Sequence, residues 1–213
     1  MVILFDAANT LIHKPKFFEK FYKVLQTEDY DVDIYDLKRN HKILSESIVF
    51  PDNTSKDFYQ KFNAELLYSL GIIPNDQLHQ KIYESCSNLP WEVFEDVRGL
   101  QFLKQEKIVV SNFRAGLNEI LNDLCPNLFS NVFASENFSF RKPDIEFYTE
   151  VLEYINVPAS EIVYVGDSLK LDIEPARKLG VKAYLIDREY YYPSFVDRIE
   201  TMDELINLVG NEN

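Results

Sequence analysis

Cysteine is nearly absent from this chain, with only Cys86 and Cys125 among 213 residues. They are too few and too far apart to read as a disulfide framework or a zinc site, and a reducing compartment suits them. Basic residues are also short: 22 Lys and Arg stand against 35 Asp and Glu, a net charge of −13. That balance argues against a nucleic-acid or anionic-membrane surface, which needs clustered positive charge. It leaves room for a small anionic substrate held in a local pocket. No apolar stretch approaches the roughly 20 residues of a membrane span. The amino terminus enters a strand-like run directly, without a signal-peptide pattern. The expectation is a soluble, cytoplasmic protein. His13, His41 and His79 are scattered and share no metal-ligand spacing, and neither an internal repeat nor a low-complexity tract is visible.

What the chain does have is apolar mass in short pieces. Hydrophobic residues make up 46% and aromatics 14%, enough for one large domain or a core domain with an insert. Four runs are short and almost continuously apolar: Val2 to Phe5, Ile108 to Val110, Ile162 to Val165 and Ala183 to Ile186. That is the pattern of strands buried on both faces of a parallel sheet. Helical spacing follows at Ile145 to Ile155 and at Ile173 to Leu179, the latter closed by Gly180, and a terminal helix is expected from Met202 to Val209. Alternating strands and helices predict right-handed crossovers and a doubly wound α/β fold. The stretch from Phe17 to Glu92 differs. Its apolar residues recur at helical spacing around Phe17 to Leu25, Leu37 to Leu44 and Phe58 to Leu70. The expected organisation is a core of residues 1–13 and 93–213 with a helical insert at 14–92.

Each core strand ends at a polar residue, and Asp6 is the most informative of them. A carboxylate at the end of a buried strand lies where open α/β sheets bind ligands. It can serve there as a nucleophile, a metal ligand or both. Position 8, by contrast, carries no second carboxylate; it is Ala8.

Four pieces stand in order along the chain: Phe5-Asp6-Ala7-Ala8-Asn9-Thr10-Leu11, Val109-Val110-Ser111-Asn112-Phe113, Arg141-Lys142-Pro143-Asp144, and Val165-Gly166-Asp167-Ser168 through Asp172. Together they resemble the four motifs of the haloacid dehalogenase-like hydrolase superfamily, and the helical insert resembles its C1-type cap. The resemblance implies a Rossmann-like three-layer α/β/α core and an Mg²⁺-dependent phosphatase acting on a small phosphorylated metabolite. Asp6 is then the nucleophile that forms an aspartyl-phosphate, and Ser111 and Lys142 complete the catalytic set. Thr10, Asn112 (through its backbone amide) and Arg114 are expected to meet substrate. Asp6, Asp167 and the main-chain carbonyl of Ala8 are expected to hold Mg²⁺, an ion that takes oxygen ligands. Asp172 is expected to orient Lys142 or support the metal's waters, and His13 to lie nearby as a substitute proton carrier.

Ala8 departs from the pattern, because the family's phosphatases carry an acid–base aspartate there. Such a group is worth about a hundred- to ten-thousandfold in rate. Three outcomes stay open: substrates with good leaving groups, another residue moving the proton, or a binding protein that turns over little. Dehalogenases of the superfamily also lack that aspartate, and its phosphonatases place alanine there with a cap lysine, for which Lys38 and Lys42 are the candidates. The expected assembly is a monomer or homodimer.

Overall fold

The structure, a computed structural model, describes residues 1–210. It divides into two compact units, Met1–His13 with the chain from Glu92 onward, and Lys14–Trp91.

The first unit is built on a sheet with six strands among the described residues, all parallel, in the order β5-β4-β1-β6-β7-β8. These are β1 (Val2–Phe5), β4 (Glu106–Ser111), β5 (Asn131–Ala134), β6 (Ile162–Gly166), β7 (Lys182–Ile186) and β8 (Arg198–Ile199). Helices α5 (Leu117–Leu124), α6 (Ile145–Ile155), α7 (Glu174–Lys178) and α8 (Met202–Gly210) flank them. This is a Rossmann-like α/β architecture. Alternate residues of each strand face opposite sides. Val2, Leu4, Ile108, Val110, Ile162 and Tyr164 pack with Phe147, Tyr148 and Val151 of α6 and Ala176 of α7 in one buried cluster. Ile3, Phe5, Val109, Val163 and Val165 alternate with them and are equally buried. Each such side chain contributes about 1.5–3 kcal/mol.

The register decides where the site forms. Phe5 pairs with Val109 on one side and Val165 on the other, so β1 ends between its neighbours, two residues short of β4 and one short of β6. The chain runs from β4 out to β5 and then crosses beyond β1 to β6. The strand order therefore reverses at β1, the crevice where open sheets bind ligands.

Two short strands, β2 (Ile12–His13) and β3 (Glu92–Val93), pair antiparallel where the chain leaves the first unit and returns. Between them lies the second unit: α1 (Phe17–Thr27), α2 (Ile34–Ser47), α3 (Lys56–Ser69) and α4 (Asp76–Cys86). Side-chain caps start three of these helices. Asp33 accepts from the Tyr35 amide, Ser55 from Phe58 and Asn75 from Leu78, each satisfying a donor the helix cannot. Phe21, Leu25, Leu37, Phe62, Leu66, Leu67, Leu78 and Ile82 form the unit's core. The His41 ring lies against Phe17, Phe18 and Phe62. No helix among the described residues is long and apolar enough to cross a membrane.

The expected helix from Ile173 to Leu179 is found as α7 (Glu174–Lys178), and a wide turn at Leu169–Ile173 precedes it. Both Asp172 and Ile173 donate their amides to the Ser168 carbonyl (3.0 and 3.1 Å), and the Ser168 hydroxyl accepts from Leu171. These bonds widen the turn by one residue, a distortion frequent at functional sites.

Candidate active site

Asp6 is the first residue beyond β1; its amide donates to the Val165 carbonyl (2.9 Å) and its side chain is buried. Two donors converge on its Oδ1: the Ser111 hydroxyl at 3.0 Å, from the end of β4, and Lys142 Nζ at 2.6 Å. No hydrogen bond reaches Asp6 Oδ2 from the described residues. Both side-chain bonds to Asp6 thus fall on one oxygen.

Lys142 is 2% exposed, so its charge needs partners. Besides Asp6 it donates to Asp172 Oδ1 at 2.6 Å, and the Tyr164 hydroxyl lies 3.4 Å away. Burial alone would pull this lysine down. The carboxylates of Asp172 and Asp6 outweigh that and hold the ammonium well above the usual lysine range. Burial pushes the Asp172 carboxyl up to about 7, against the opposing pull of Lys142. Asp172 Oδ2 accepts from the Ser168 amide (3.0 Å). A side chain at position 166 could not coexist with this, since a Cβ on Gly166 would lie 2.4 Å from the Asp172 carboxyl. The Tyr164 hydroxyl, 3.0 Å from Asp172 Oδ1 and 3.1 Å from the Val110 carbonyl, closes the floor. Burial raises the Tyr148 and Tyr164 phenols well above their ordinary values, so both stay neutral.

The other expected residues are distributed unevenly. The Asn112 side chain pairs both ways with the Lys142 backbone: its carbonyl accepts from the Lys142 amide and its amide donates to the Lys142 carbonyl, each at 2.8 Å. Asn112 therefore ties the end of β4 to the loop carrying Lys142. Arg114 is exposed in the turn before α5 rather than on that helix. Thr10 is fully buried, and its hydroxyl meets no partner. Ala8 makes an isolated bridge to Ile12. The His13 ring stacks on Phe94 at 3.8 Å, and burial, then the nearby Arg188 charge, lower its pKa. Sequence reasoning missed Tyr164, Asp96 and Arg188. The only available signal for Arg188 was a charge just past the end of β7.

Asp6, Asp167 and Asp172 can each offer a carboxylate oxygen within 4.8 Å of the others. An all-oxygen set of this kind fits a hard divalent cation. Asp172 is bonded to Lys142 and Ser168, Asp6 to Ser111 and Lys142, and the half-buried Asp167 completes the set.

The family model described as haloacid dehalogenase-like hydrolase matches residues 3–186. The chain belongs to that family. Among curated relatives of this hydrolase, haloacid dehalogenase-like hydrolase domain-containing protein 3 of Danio rerio is 34% identical over 142 residues, 61% of this chain and 58% of that one. The glyceraldehyde 3-phosphate phosphatase of Methanocaldococcus jannaschii is 35% identical over 88 residues, 39% of each chain. The family member thus spans well under two thirds of the length of these relatives. Among solved structures, Bacillus subtilis YfnB, crystallised with magnesium, superposes with a TM-score of 0.65 at 18% identity over 98% of both chains. At that identity the likeness is one of fold.

Proposed function

We propose that this family member is a phosphatase working through an aspartyl-phosphate on Asp6, with a divalent metal held by Asp6, Asp167 and the Ala8 carbonyl. The observation that supports it most is the setting of Asp6. Ser111 and Lys142 fix Oδ1, and the Asp6 carboxylate lies in a cluster with those of Asp167 and Asp172. Oδ2 attacks phosphorus, an O–P bond forms, and the bond to the leaving oxygen breaks. Water then attacks the same phosphorus, the Asp6–phosphorus bond breaks, and inorganic phosphate departs. Lys142 keeps the nucleophile's second oxygen neutralised through both steps, and Asn112 holds the Lys142 backbone in place. Mg²⁺, when bound, neutralises the non-bridging oxygens of the phosphoryl group.

Ala8 has no proton to give. The leaving group must therefore depart with little help, which favours acyl or aryl phosphates over alkyl ones. The His13 ring is stacked on Phe94 and its pKa is lowered, which supports a neutral imidazole rather than a ready acid. In this reading the helical unit is the cap domain that the resemblance implies, and the substrate is a small phosphorylated metabolite in the cytoplasm. A monomer or homodimer suffices for this.

The test is phosphate release from a panel of aryl, acyl and alkyl phosphates, with and without Mg²⁺, using Asp6→Asn as control. Metal-dependent release from the aryl and acyl esters, lost in the variant, is the expected result. Release that ignores Asp6 overturns the reading. A second reading draws on Ala8 itself: halide displacement from a 2-haloacid by the same Oδ2 needs no proton donor. Chloride release that is insensitive to chelator and lost in Asp6→Asn would favour it.

A further inference from the structure

Arg188 lies just beyond β7, and its guanidinium makes four directional bonds to two separate pieces of chain. Nε and Nη2 grip the Asp96 carboxylate at 3.1 and 3.0 Å, and Nη1 and Nη2 donate to the carbonyls of Asn9 (3.1 Å) and Thr10 (3.0 Å). Its face lies over the Phe94 ring at 3.9 Å, whose other neighbour is His13. Asp96 in turn accepts from the Met202 amide at 3.0 Å, at the start of α8. The pair is largely shielded, with side-chain exposures of 18% for Arg188 and 14% for Asp96.

What Arg188 grips is the loop between Asp6 and β2. Asn9 adopts a left-handed backbone (φ +61°), a conformation that asparagine accepts more readily than other side-chain-bearing residues. Its amide donates to the Ile12 carbonyl at 2.7 Å. In a trans peptide the N–H and C=O point oppositely, so that bond turns the Ala8 carbonyl away from Ile12. The next two carbonyls along, those of Asn9 and Thr10, are the ones Arg188 holds.

We propose that Arg188 is a positioning residue for the active site, braced by Asp96 and Phe94, whose hold on the Asn9 and Thr10 carbonyls fixes the direction of the Ala8 carbonyl. The inference rests on the functional reading above for its catalytic consequence, but the hold itself does not. A lysine cannot replace the fork, because one ammonium cannot reach a carboxylate and two carbonyls in that planar arrangement.

The experiment compares Arg188→Gln, Arg188→Lys and Asp96→Asn with wild type in three measurements. These are Mn²⁺ binding by electron paramagnetic resonance, hydrogen exchange of the segment 7–12, and kcat and KM for p-nitrophenyl phosphate. Removing a group that orients a metal ligand costs about 10–100-fold in affinity. Arg188→Gln should therefore weaken Mn²⁺ about tenfold or more, speed exchange at Leu11 and Ile12, and lower kcat more than KM rises. Arg188→Lys should fail to restore any of these, and Asp96→Asn should shift them the same way by less. A lowered melting temperature with unchanged Mn²⁺ affinity and exchange overturns the proposal. If Arg188→Gln does not fold, unchanged affinity and exchange in both other variants overturns it equally. Wild type that releases no phosphate through Asp6 sinks the phosphatase reading instead, and exchange still decides whether Arg188 holds the loop.

Discussion

The two units bury different things. Asn63 is the one buried polar residue of the helical unit among those described; Asp6, Thr10, Lys107, Ser111, Ser135, Lys142, Ser168, Asp172 and Asp187 all belong to the sheet unit. The helical unit is held by aromatic and aliphatic packing that any shape-compatible side chains could supply. The sheet unit hides charges, which is expensive unless each is paired. Of the buried charges in the sheet unit, Asp6, Lys142 and Asp172 gather at one set of strand ends, while Lys107 lies at the opposite end of β4 and bonds the Leu103 and Gln105 carbonyls.

That contrast can be broken by mutation. Asp6→Asn should reduce phosphate release at least about a thousandfold, as loss of a nucleophile does, while leaving the urea midpoint close to wild type. Next in size, Lys142→Met strands Asp6 and Asp172 as buried carboxylates without their cation. A loss of about 3–5 kcal/mol in urea unfolding is expected, together with loss of activity. Leu66→Ala, in the helical core, should cost about 2–5 kcal/mol through its cavity yet leave Mn²⁺ affinity unchanged; a changed affinity would erase the distinction between the units.

A finer test uses pH. Burial lifts the Asp172 carboxyl from 3.8 to about 7, so between those values the native state holds a proton that the unfolded chain has released. The stability this carries is complete below about pH 4 and is lost as the pH rises through 7. In metal-free protein, the advantage of wild type over Asp172→Asn in urea unfolding should shrink as pH is raised from 4.5 to 7.5. The smallest effect concerns Cys86, whose thiol burial pushes up to about 11. Alkylation by iodoacetamide at pH 8 should be slower than that of free cysteine, because little thiolate exists.

Residues at strand ends were the most legible part of the sequence. Asp6, Ser111 and Asp167 each follow or close a continuously apolar run, and a parallel sheet brings such ends together. Other features were hidden for physical reasons. Strand β5 is only half-buried over Asn131, Val132 and Phe133, so it lacks the unbroken apolar signature of its neighbours. Helix α4 buries only Leu78 and Ile82, too few to show a period. The wide turn at Leu169–Ile173 arises from Ser168 bonding its own successors, which apolar spacing does not encode. Arg188 was silent because its partners lie 92 to 179 residues away along the chain, and no local pattern announces them.

Strands β2 and β3 lie side by side, pairing Ile12 with Val93 and His13 with Glu92. The chain therefore departs for the helices and comes home at a single doorway. In evolutionary terms this is a socket. Strands β2 and β3 pair with each other and not with the six-stranded sheet, so the insert between His13 and Glu92 adds no strand to that sheet. A short tight turn joining the two strands would be the smallest cassette the socket accepts.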